Sequence, residues 1–68
     1  MNTQMLKGKI VEMNTTQEAI ADSIGVNRTT FYRKMKNKGN TFTVEEMHKM
    51  VQAIPLTKEE AITIFFEP

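Results

Sequence analysis

The chain has 68 residues, a formal net charge of +1 and no cysteine. A chain this short forms one domain, residues 1–68, and buries only about 60% of its unfolded surface, which leaves little room for a deep catalytic cleft. Lack of cysteine excludes a disulfide framework, a cysteine-ligated zinc site and thiol chemistry, and the longest apolar run, Ile64-Phe65-Phe66, is far too short to span a bilayer.

Apolar periodicity and helix caps predict an all-α chain of five helices. The first spans roughly Thr3 to Met13, with Leu6, Ile10 and Met13 as its apolar stripe. Gly8 in its interior costs about 1 kcal/mol relative to alanine and marks close packing against a neighbour. The second starts after Thr16, or after Thr15 in a Thr-x-x-Glu capping box with Glu18, and ends at Gly25. Gly25 can take the positive φ of a sharp exit, Val26 plugs the corner, and Asn27 caps the third helix. That helix runs to about Lys36, and Asn37-Lys38-Gly39-Asn40 has the composition of a loop.

The fourth helix opens after Thr43 in a capping box with Glu46. Its inner face is Val44, Met47, Val51 and Ile54, and Pro55 ends it. Thr57 and Glu60 form a second box that opens the fifth helix, toward Phe65 or Phe66. Ile62-Thr63-Ile64-Phe65-Phe66 could instead end as a strand, being β-branched and aromatic. As a helix it turns Ile62 and Phe65 inward, leaves Phe66 at the edge of the buried stripe and exposes Ile64. Exposed Ile64 and Phe66 would mark a dimer contact.

The segment from Gln17 to Lys36 carries the chemistry. Small Ala21 permits close helix approach, and Ile20, Ile24, Phe31 and Met35 converge on one core. Thr29, Tyr32, Arg33 and Lys36 fall on the other side of the third helix. Charge is segregated: Ser23 to Val44 holds five basic residues and no acidic one, while the rest holds four basic and eight acidic. Such asymmetry points to a polyanionic partner.

Arg33 and Arg28 can fork onto guanine in a major groove, and Thr29 can touch a base edge. Solvated surface arginines are the plain alternative. Tyr32 is grouped with Arg28, Thr29 and Arg33 as a base-reading candidate, and can otherwise reach a phosphate, pack on a sugar or close the core rim. Lys36 and Lys38 suit phosphate neutralisation. Thr16 and Gln17, at one helix start, and Asn40 and Thr43, at another, are further phosphate donors or ordinary cap and turn residues. Lys34 has no acidic neighbour in sequence. His48 stands alone, and no metal, cofactor, small-molecule or catalytic constellation is arguable.

At these residues the chain resembles the Cro and repressor, or Xre-type, helix-turn-helix family of phage and bacterial regulators. Thr16-Gln17-x3-Ala21-x3-Gly25-Val26 is the specific part. Leu6 to Glu12, Phe42 to Glu46 and the closing Ile64-Phe65-Phe66 are similar in kind. The resemblance implies a compact five-helix lambda-repressor-like domain that binds a near-palindromic double-stranded DNA operator as a homodimer in the cytoplasm, with neither catalysis nor a membrane. Gln17 and Lys36 would match phosphate-contacting positions, and Arg28, Thr29 and Arg33 base-reading ones. Lys34 departs from the apolar residue of many relatives, which shifts the core contact to Met35. The rivals are a protein-interaction module, docking through methionines and the apolar C-terminal surface, and an antitoxin that also binds DNA.

Overall fold

The computed structural model describes residues 1–37 and 41–66; the expected sites Lys38 and Asn40 lie outside the described residues. The described chain is all-helical: α1 (Thr3–Glu12), α2 (Gln17–Ile24), α3 (Arg28–Lys36), α4 (Val44–Ala53) and α5 (Lys58–Phe66). Packing places α2 against both α3 and α4, and α1 against α5. Leu6, Ile10, Ile20, Ala21, Ile24, Phe31, Met35, Phe42, Met50, Ile54, Leu56, Ile64 and Phe65 form one buried core.

Local chemistry sets the helix starts. Asn2 Oδ1 accepts from the Met5 amide at 3.0 Å, and Thr16 Oγ1 from the Ala19 amide at 3.1 Å. Thr16, and not Thr15, is therefore the cap of α2. Thr43 and Glu46 exchange hydrogen bonds as a complete capping box, as do Thr57 and Glu60.

Two helix ends share one device. At Gly25 φ is 75°, the Val26 amide donates to Ala21 O at 2.9 Å, and the Gly25 amide donates to Asp22 O at 3.3 Å. This pair of bonds is a Schellman motif, and it consumes carbonyls that the helix end would otherwise leave unpaired. α1 ends the same way with asparagine: Asn14 has φ 57°, the Thr15 amide reaches Ile10 O, and the Asn14 amide reaches Val11 O. Asparagine tolerates this left-handed conformation better than most residues.

Several expectations are corrected. Met13 is only the cap of α1 and is exposed, because Asn14 turns the chain away there. Gly8 is exposed, and a Cβ built on it meets nothing within 4 Å, so it marks no close packing. Val44 is 76% exposed. Met50 and the C-cap residue Ile54 are the deepest positions here, and at 3.6 residues per turn Val44 sits roughly 100° away from their mean direction. In α5 Phe65 points inward as expected, but the places of Ile62 and Ile64 are exchanged. Ile64 is wholly buried with Phe65, while Ile62 and Phe66 are exposed. Ile64 is thus core and no dimer contact; the Asn2 amide donates to its carbonyl at 2.7 Å, fixing α5 on the start of α1.

An ion pair reinforces that seam. Lys9 Nζ lies 2.7 Å from Glu60 Oε2 and 3.3 Å from Glu12 Oε2. The Lys9 ammonium first, and the Thr57 amide second, hold the Glu60 carboxyl down to about 2. A carboxylate with a lowered folded pKa stabilises the fold above its ordinary value of 4.5 and loses that contribution as pH falls toward 2. The melting temperature of the native chain should therefore fall across this window, and the fall should be shallower in Glu60→Gln, as followed by circular dichroism.

The glycines should respond with opposite signs. Gly25→Ala meets no steric obstacle, yet must hold a left-handed conformation, so it should cost about 1–2 kcal/mol in urea unfolding. Gly8→Ala should gain about 0.5–1 kcal/mol, since it sits in open helix.

Candidate nucleic-acid interface

The core side of α3 is Phe31 and Met35, both buried, while Lys34 is not part of the core. Thr29, Arg33 and Lys36 recur at i, i+4 and i+7 on the opposite side, and all three are exposed. The Thr29 amide donates to Asn27 Oδ1 at 2.9 Å, which starts the helix. Arg33 makes one long contact, Nη2 to Thr30 Oγ1 at 3.4 Å. Among the described residues neither Arg33 nor Lys36 has a carboxylate partner. The last turn of α3, holding Arg33, Lys34 and Lys36, also places cations where the helix dipole is negative.

Arg28 and Tyr32, also at helical spacing, lie on the edge of α3 that meets α2. They are not free surface groups. Arg28 forks onto Asp22, with Nη2 to Oδ2 at 2.8 Å and Nε to Oδ1 at 3.4 Å. The Arg28 guanidinium holds Asp22 below its usual range. One turn earlier on α2, the nearby Tyr32 hydroxyl lowers the Glu18 carboxyl, and Tyr32 is pushed up in return. The half-exposed Tyr32 thus spans the rim between α2 and α3.

The far end of α3 is tied to α4. Lys34 Nζ lies 2.8 Å from Glu46 Oε1 and 5.5 Å from the centroid of the Phe42 ring. Phe42 packs edge-on to Phe31 with centroids 5.3 Å apart. Glu46 Oε1 also accepts from the Thr43 amide at 2.9 Å. One carboxylate oxygen therefore closes the α4 cap and anchors α3. Burial opposes ionisation of Glu46, but Lys34 and the Thr43 amide outweigh it and the carboxyl is lowered. Lys34 is a structural lysine, a role hidden because its partner lies twelve residues on.

The remaining expected positions lie at helix starts. Gln17 is the first residue of α2 and half-buried. Thr16 and Thr43 are exposed caps, and each hydroxyl oxygen accepts a backbone bond while its own proton stays available to an external acceptor. His48 is exposed on α4. Beside it runs a shallow apolar groove of about 200 Å³ lined by Val44, Met47, Val51, Ala61, Phe65 and Phe66.

Among the described residues no cluster of His, Asp or Glu could hold a metal ion, and no helix is long and apolar enough to cross a membrane. Comparison with protein-family models, curated proteins and solved structures finds no match.

Proposed function

We propose that this chain is a sequence-specific double-stranded DNA-binding regulator of the Cro and repressor kind. The observation that carries the reading is the stripe of Thr29, Arg33 and Lys36. It stands on the outward face of a helix whose other face is core and whose start is set by the turn at Gly25. In this reading α2, Gly25 and α3 form a helix-turn-helix, and α3 enters the major groove. Arg33 reads a guanine, Thr29 a neighbouring base edge, and Lys36 a phosphate. Thr16, Gln17 and Thr43 hold the flanking backbone. The protein represses by occupying an operator and excluding polymerase.

The described residues measure 27 × 24 × 20 Å along their principal axes, whereas successive major-groove faces lie roughly 34 Å apart. One copy therefore reads one half-site, and a two-fold homodimer reads both. The burial of Ile64 removes it from the expected contact and leaves Phe66. Phe66 is 72% exposed beside the groove floored by Val51 and Phe65, so one patch carries both knob and hole. A two-fold contact needs that self-complementarity. The same apolar surface is what favours a protein-interaction module, and a second copy is the occupant we assign to it.

Selection of bound duplexes from a random pool tests the DNA reading. Arg33→Ala should lose about 1–3 kcal/mol of discrimination at one base pair per half-site. Lys36→Ala should weaken all duplexes alike and flatten the salt slope by about 0.9. If affinity and consensus are indifferent to both changes, α3 is not the reading helix.

For the dimer, Phe66→Glu should leave helicity intact, shift sedimentation from dimer to monomer and weaken full-operator binding more than half-site binding. A native chain that stays monomeric at high micromolar concentration and gains no cooperativity on a full operator counts against this contact.

A further inference from the structure

Asp22 and Glu18 form a short acidic edge on α2, one turn apart. Asp22 faces Arg28, the first residue of α3. The Asp22–Arg28 pair is well over half exposed on both sides, with side chains 57% and 59% accessible. Exposed pairs of this kind add little to stability. Their geometry is more informative than their energy.

A guanidinium has five N–H donors on two usable edges. Asp22 engages the side edge, made by Nε and one hydrogen of Nη2. The end edge, made by Nη1 and the second hydrogen of Nη2, remains open. It is this end edge that can fork onto the O6 and N7 acceptors of a guanine. The carboxylate therefore holds the arginine by its flank without consuming its reading edge.

The pair also matters for charge. With Asp22 alongside, Arg28 presents almost no net charge to a phosphate backbone, so it contributes little to sequence-independent binding. At a matching base it still offers two directed donors. A carboxylate so placed raises specific over non-specific binding from both sides.

We infer that Asp22 is a positioning residue for base recognition: it clamps the flank of Arg28, aims its open edge at a guanine, and withholds its charge from phosphates. This inference rests on the DNA-binding reading above.

The test compares the native chain with Asp22→Asn, Asp22→Glu, Arg28→Lys and Arg28→Ala, each confirmed as folded by circular dichroism. Consensus selection and salt titration on random duplex DNA are the readouts. Asp22→Asn should lower preference at the base pair read by Arg28 by roughly tenfold, the scale of one bidentate base contact. It should also tighten binding to random duplex and steepen the salt slope by up to about 0.9, as Arg28 gains a phosphate. Asp22→Glu should keep the native slope but blur the preference, because the charge stays while the clamp moves outward. Arg28→Lys should lose the preference, since an ammonium has no second edge. With Arg28→Ala in place, Asp22→Asn should leave the consensus unchanged. A purely structural role for Asp22 would alter melting temperature and move neither readout.

If the native chain is sequence-selective and Asp22→Asn keeps both consensus and slope, the positioning role is overturned while the DNA reading stands. If the native chain shows no sequence preference at all, the DNA reading itself fails.

Discussion

At Gly25 the chain leaves α2 with φ at 75°, and the Val26 amide returns to the Ala21 carbonyl. Everything that concerns the outward face of α3 follows from this corner. The two bonds close the end of α2 while turning the chain, so α3 starts within three residues and must pack directly on α2. Ala21 is wholly buried there and provides the close approach. Once Phe31 and Met35 are committed to the core, helical geometry alone puts Thr29, Arg33 and Lys36 on the opposite side.

A corner fixes direction but leaves rotation about the α3 axis loosely set, and polar ties limit it at both ends. Asp22 holds the first half of α3 through Arg28. Glu46 holds the second half through Lys34, and its partly buried setting makes that tie the stronger structural element. The same oxygen completes the cap of α4, so the start of α4 and the orientation of α3 move together. In the proposed complex this coupling would relate a phosphate contact at Thr43 to base contacts from α3.

Local signals were legible in the sequence. Caps at Thr43 and Thr57 involve residues three apart, and Gly25 is unusual in its own right, so the chain announces both directly. Non-local ones were not. Lys34 with Glu46, Lys9 with Glu60 and Asp22 with Arg28 meet only after folding, so the basic segment looked more open than it is. The inward face of α5 was misread at Ile62 and Ile64 for another reason. Five of the six residues from Ala61 to Phe66 are apolar, and a nearly uniform stretch has no contrast from which to read a face. Contact with α1, through Asn2 and Ile64, decided it. Asn14 escaped notice because a left-handed asparagine has no sequence mark as strong as glycine.

The central claim is that one face of the molecule meets duplex DNA. Amide chemical-shift mapping by NMR, during titration with a selected duplex, addresses it residue by residue. The account predicts the largest changes along α3 at Arg28, Thr29, Arg33 and Lys36 and at the starts of α2 and α4, with α1 unaffected. Changes confined to the groove between α4 and α5, or none on saturation with DNA, would contradict it.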